Sequence, residues 1–159
     1  MKKIYAFDFD GTLTTKDTLI EFIRYAKGSM ALGLGFMRYA HLLVLMKIGL
    51  YPNYKAKQKV FAYFFKDTTL DDFNALCKAF AASSSHLLRP NAIEAINHAI
   101  KEGSEVLIVS ASIDNWVQPF FPQIKVVGTQ IEVIDGKLTG RFLSKNCYGQ
   151  EKVNRILSL

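Results

Sequence analysis

Ile4-Tyr5-Ala6-Phe7-Asp8-Phe9-Asp10-Gly11-Thr12 reads as a short buried strand of apolar residues running straight into an acidic turn. Side chains in a strand alternate with period two, so carboxylates at Asp8 and Asp10 are expected on the same side of its C-terminal end. Gly11 and Thr12 then supply the sharp turn that a chain leaving a sheet requires. Two carboxylates held that close resist full ionisation together, so one can stay anionic while the other keeps a proton. A bound cation would relieve the repulsion. Such a pair suits a carboxylate nucleophile beside a general acid/base. The plain alternative is an ordinary strand-to-loop turn, in which Asp and Gly are common. The coincidence of the apolar strand with the whole Asp-x-Asp-Gly-Thr string favours chemistry.

After Asp10 the pattern changes. Residues 16–87 hold no strand signal and read as several helices: Thr18–Lys27 with Leu19, Phe22, Ile23 and Ala26 on one face, an apolar helix over 36–48, a third over 54–65, and a fourth over 70–83. Gly28, Gly33 and Gly35 read as loosening the chain before the second of these, and Asp67-Thr68-Thr69 as the cap before the last. Pro90 marks a second change. A helix to Lys101, a buried strand from Glu105 ending in Ser110-Ala111-Ser112, a short helix from Asp114 and a third strand at 125–127 follow. Residues 129–134 and 137–142, joined by Asp135-Gly136, make a hairpin, and another helix begins at Glu151. The order predicts an α/β fold, a three-layer Rossmann-like parallel sheet with an inserted all-helical block. Such sheets bind ligands at the carboxyl ends of their strands, which puts Asp8, Asp10 and Ser110 at one edge.

With 159 residues, half of them hydrophobic, the chain has enough material for one core with an inserted subdomain. A net charge of +6 suits anionic substrates or acidic lipid. No basic run points to nucleic acid; Lys55, Lys57 and Lys59 are spaced lysines. Cys77 and Cys147 have no metal-type spacing, and the apolar start ends at Asp8, too early for a signal peptide, so the expected setting is the reducing cytoplasm. Residues 30–50 are apolar, yet Arg38 and His41 interrupt them. The longest uninterrupted apolar-or-Gly run is eight residues, far short of the ~20 that a spanning helix needs. Shallow peripheral membrane contact by this basic, apolar region stays open.

The string Asp8-Phe9-Asp10-Gly11-Thr12-Leu13-Thr14, the strand end Val109-Ser110-Ala111-Ser112 and Lys152 in Cys147-Tyr148-Gly149-Gln150-Glu151-Lys152 together resemble the ordered motifs of the haloacid dehalogenase-like phosphohydrolases, in the phosphoserine-phosphatase-like branch. The resemblance implies a core of residues 1–15 and 89–159 with a helical cap over 16–88. It implies Asp8 as nucleophile forming an aspartyl phosphate, Asp10 as general acid/base, Lys152 as charge neutraliser, and Thr12, Ser110 and Ala111 at the substrate phosphate. Mg²⁺ is the implied cofactor, held by Asp8 and Asp10, and a small phosphorylated metabolite the implied substrate. Asp17 stands where phosphoserine-specific relatives carry Glu, so it reads either as a shorter substrate reader or as a helix N-cap.

The family's fourth motif, an acidic pair after a further strand, has no counterpart in the seven residues beyond Lys152. That predicts missing C-terminal core strands, an exposed apolar edge on the first strand, weak Mg²⁺ binding and slow turnover for this chain alone. Two alternatives follow: a HAD-fold binding protein without turnover, or a lipid-phosphate phosphatase that sits peripherally on membranes.

Overall fold

The computed structural model describes residues 3–144 together with 153 and 154. β1 (Ile4–Phe7), β2 (Glu105–Ile113) and β3 (Lys125–Thr129) form a parallel sheet in the order β1-β2-β3. β2 lies in the centre because it is the longest apolar run. Val106 and Ile108 face the main core, while Leu107 and Val109 pack with Val127 on the other side. A strand buried on both faces is what a covered parallel sheet demands. Phe7 pairs with Ile108, and Val109 with Val127, so Asp8 and Ser110 emerge close to one level at the carboxyl ends. Among the described residues β1 is an edge strand with Ile4 55 % exposed, so the reading of this run as a buried strand is corrected: β2 covers one side of it and nothing described pairs with the other.

Between β1 and the rest of the sheet lie α1 (Thr18–Lys27), α2 (Ser29–Arg38), α3 (Ala40–Lys47), α4 (Asn53–Phe65) and α5 (Leu70–Ser83). Thr69 caps α5 by accepting the Asp72 N–H at 3.2 Å. α6 (Pro90–Lys101) and α7 (Asp114–Val117) flank β2. The single helix expected over 36–48 is instead two, bent by 68° at Tyr39, and the first begins at Ser29. Gly35 is why α2 survives its glycines. A Cβ there would stand 2.3 Å from Phe64 Cζ, so the missing side chain lets α2 close on α4.

β4 (Ile131–Ile134) and β5 (Lys137–Phe142) form the antiparallel hairpin, apart from the parallel sheet. Asp135 and Gly136 both take positive φ at its tip, as a two-residue type I′ connection requires. The hairpin joins the helical insert through its main chain: Asp67 N–H donates to Leu138 O at 2.8 Å, and Leu138 N–H to Thr68 O at 2.9 Å. Sequence periodicity shows the hairpin but not this partner.

An aromatic cluster joins insert to sheet. Phe22 on α1 stacks on Trp116 of α7 (4.9 Å, 25°) and meets Phe65, Phe73 and Phe80 within 5.7 Å. Phe22→Ala should cost about 3–5 kcal/mol by transfer and cavity terms together. For a chain of this size that lowers Tm by on the order of 10 °C, measurable by calorimetry.

Candidate active site

The strand ends at Phe7, and Asp8 begins a tight turn. Asp8 Oδ1 accepts the Phe9 N–H at 2.8 Å, and the half-buried side chain stands at the carboxyl edge of β1. Gly11 takes φ 74°, the left-handed conformation in which a side chain would be strained, and its N–H donates to Thr14 Oγ1 at 3.2 Å. Thr14 N–H closes the turn on Phe9 O at 3.1 Å.

Asp10 therefore lies in the turn, beyond the reach of strand alternation, and its direction is set by other partners. Its Oδ1 accepts both the N–H of Thr18 at 2.8 Å and the Thr18 hydroxyl at 2.6 Å. Its Oδ2 accepts the hydroxyl of Ser112, 102 residues along the chain. Burial raises the Asp10 pKa above its usual value and outweighs the hydrogen bonds from Ser112 and Thr18, which pull the other way; the negative charge of Asp17 adds to the rise. The proton-holding tendency expected from an Asp8–Asp10 repulsion thus comes first from desolvation, and Asp17 is the like charge that contributes.

Thr18, wholly buried, is the first residue of α1, so Asp10 ties the insert's leading helix to the end of β2. Trp116 Nε1–H donates to Thr18 Oγ1 at 3.2 Å. An indole N–H can only donate. The Thr18 oxygen is thereby an acceptor for Trp116, and its own proton is directed to Asp10.

Ser110 is fully buried, and its Oγ accepts the Ser112 N–H at 3.0 Å, which keeps its own proton for a second partner. Ala111 and Ser112 line a cavity of about 10 Å³ with Leu19, Lys57, Trp116 and Phe142. Lys57 comes from α4 and is half-buried; among spaced lysines nothing in the sequence singled it out. Thr18, Ser112 and Trp116 were likewise invisible as a unit, since the Thr18–Trp116 pair spans 98 residues.

The remaining expected residues are not gathered there. Thr12 is exposed and lines a separate open hollow with Thr15 and Arg89. Asp17 serves as the N-cap of α1, Oδ1 accepting from Leu19 N–H at 3.0 Å and Ile20 N–H at 3.3 Å. Asp114 opens α7 as its first helical residue, one position inside the cap. Lys152, Cys147 and the helix start expected at Glu151 lie outside the described residues. A hollow of about 810 Å³ between α5 and the segment after α7 contains none of the motif residues.

No cluster of three His, Cys, Asp or Glu side chains exists among the described residues. What the turn offers is hard oxygen: the Asp8 carboxylate and the Asp10 main-chain carbonyl, the Asp10 carboxylate being engaged by Thr18 and Ser112. That donor set fits a magnesium-like ion, which binds through one or two carboxylates and keeps several waters, and does not fit a softer metal.

The family model of haloacid dehalogenase-like hydrolases matches residues 5–159. The chain belongs to that family. It is 32 % identical over 163 residues to Protein CicA of Caulobacter vibrioides, covering 96 % of this chain and 70 % of that protein. Among solved structures, a protein of unknown function from Bordetella pertussis Tohama I aligns with TM-score 0.78 at 18 % identity, covering 98 % of this chain and 73 % of the other. A phosphoserine phosphatase held as a phospho-aspartyl intermediate analogue aligns with TM-score 0.58 at 23 % identity, covering 99 % and 73 %. The structural similarities establish the α/β fold of this hydrolase family.

Proposed function

We propose that the chain is a Mg²⁺-dependent phosphomonoesterase acting on a small phosphorylated metabolite, with the insert over 16–88 as a cap on the core formed by 1–15 and 89–159. The observation that carries this reading is the pairing of Asp8 at the end of β1 with an Asp10 whose carboxylate is anchored by Thr18 and Ser112. An Asp8 oxygen attacks phosphorus as the bond to the ester oxygen breaks, and Asp10 gives its proton to that departing oxygen. Asp10 then takes a proton from water, whose oxygen attacks phosphorus and releases Asp8. Ser110 donates its hydroxyl proton to a phosphoryl oxygen, and Lys152 offsets the negative charge. Ala111 borders the phosphate, Thr12 lines the separate open hollow with Arg89, and Asp17 stands at the start of the insert as the N-cap of α1. Asp8 and the Asp10 carbonyl would hold Mg²⁺, which when bound neutralises charge on the phosphoryl oxygens.

The cavity beside Ala111 and Ser112 holds about 10 Å³, roughly the room that one water needs. That space is bounded by Leu19 and Lys57 of the insert and by Ala111 and Ser112 of β2, so a cap movement that widens it is the gating this reading expects.

Fluorine NMR with beryllofluoride, a mimic of the phosphoryl group on a carboxylate, tests the reading without requiring fast turnover. A bound signal that needs Mg²⁺ and Asp8 supports it. Phosphate release that continues unchanged in Asp8→Asn overturns it.

Trp116 acts through Thr18 and is a positioning residue. Trp116→Phe keeps the ring on Phe22 and removes the N–H, leaving the Thr18 hydroxyl with no fixed direction. The expected loss is ~2–10-fold in kcat, the scale of one hydrogen bond. It should fall on alkyl phosphates, whose leaving oxygen needs a proton, and spare p-nitrophenyl phosphate, with KM unchanged for both. An equal loss on both substrates would make the role of Trp116 structural.

A further inference from the structure

Between Glu21 and Asp67 the chain contains no acidic residue and eight Lys/Arg, whereas the rest of it is slightly acidic. The positive charge is thus concentrated in the segment that forms most of the insert. The same segment exposes its apolar side chains. On α2, Met30, Leu34 and Met37 recur at helical spacing along one outward stripe, Met30 at 82 % and Met37 at 71 % exposure. The opposite side of α2, with Leu32 and Gly35, is the one that packs inward. On α3 no residue is buried; Val44 and Ile48 continue the exposed surface, and Leu50 follows at 73 % exposure. Arg38 and Lys47 sit in the last turns of the two helices, beside these aliphatic groups.

No single helix among the described residues is long and apolar enough to cross a membrane. α2 and α3 are apolar in sequence but bent by 68° where they meet, and at ten and eight residues each is too short to span alone. Short helices with exposed aliphatic side chains and neighbouring cations lie in an interface, where the apolar groups enter the acyl boundary and the long basic chains reach the headgroups.

We propose that the α2–α3 bend docks this protein on the surface of an anionic lipid bilayer. Charge complementarity selects this occupant. A second copy of the chain would bring two acid-free basic segments face to face, an arrangement that like-charge repulsion opposes. A negatively charged leaflet attracts the same cations and accepts the Met, Leu, Val and Ile side chains between them. The docking is independent of the reaction assigned to Asp8.

Co-sedimentation of the full chain with vesicles of phosphatidylcholine, with and without phosphatidylglycerol, tests it. Binding should require the anionic lipid and weaken as salt rises. Met37→Glu with Val44→Glu should reduce it by about tenfold or more, since two buried aliphatic contacts become charges facing an anionic surface. Emission from the buried Trp116 and the beryllofluoride signal at Asp8 report whether that variant stays folded. If it does not, Met37→Gln with Val44→Thr replaces it, with a smaller loss of the same sign. Binding indifferent to lipid charge, or untouched by these substitutions, overturns the proposal. So does the absence of vesicle binding, whether or not the chain self-associates or retains another protein through the same residues.

Discussion

Asp8→Asn is expected to abolish phosphate release, by on the order of 10⁴-fold or more, while leaving the fold intact. The amide oxygen of Asn can still accept the Phe9 N–H that Asp8 Oδ1 takes at 2.8 Å, so the turn after β1 keeps its anchor. What the amide lacks is a negatively charged oxygen able to attack phosphorus. Removing a nucleophile is costlier than removing a general acid or base, because no partner in the site can take over its bond to the substrate. Single-turnover assays on several phosphomonoesters, beside circular dichroism of both proteins, separate this from unfolding. Retention of even a hundredth of the wild-type rate would show that the first carboxylate is not the attacking group.

Asp10→Asn is expected to act in opposite directions on activity and stability. Activity should fall by ~10²–10⁴-fold, the range of a positioned general acid/base. Stability should rise in metal-free protein near neutral pH. Burial makes the ionised Asp10 costly, so its folded pKa lies above the unfolded value. Between those two values the native protein binds more protons than the unfolded chain, and stability falls as pH rises through that window. Above it the full penalty persists; below the unfolded value it is absent. Asn carries no charge at any of these pH values and can still accept from Thr18, while the Ser112 hydroxyl can turn to accept from the amide. The gain in Tm should therefore be present at neutral pH and vanish in acid, a comparison that calorimetry in EDTA makes directly. A destabilised Asn variant at neutral pH would mean that the Thr18 and Ser112 hydrogen bonds outweigh burial, reversing the direction of the Asp10 shift.

The two variants together bear on why Asp10 is built as it is. A carboxylate held by three donors in a buried turn is rigid, and rigidity aids proton delivery to a defined oxygen. The same burial is a standing cost to the fold. Sites that tolerate such a cost are where local rules of stability give way to chemistry.

How much of this was legible beforehand depended on range. The strand at Ile4–Phe7, the turn at Gly11, the caps at Asp17 and Thr69 and the Asp135-Gly136 hairpin all arise from interactions within a few residues. Periodicity and turn chemistry report such interactions directly. The parallel direction of the strands followed from the βαβ passages, whereas their order, β1-β2-β3, came from the structure. The start of α2 at Ser29 was not legible, because the close approach of Phe64 on another helix that Gly35 permits is a tertiary contact, and neither was the bend at Tyr39.

The amino-acid string alone therefore determined that an acidic turn follows an apolar strand, that a second strand carries Ser110 toward its carboxyl end, and that helices intervene; that the first strand is exposed and that the second runs on to Ile113 were not legible. Only the tertiary structure decided where Asp10 points, that Trp116 orients Thr18, that Lys57 reaches the cavity beside Ser112, and that no described residue covers the basic, apolar bend of α2 and α3. The reason is physical. Backbone periodicity is a local property of the chain, whereas the direction of a buried hydrogen bond is chosen by whichever donors packing brings within about 3 Å, however distant in sequence.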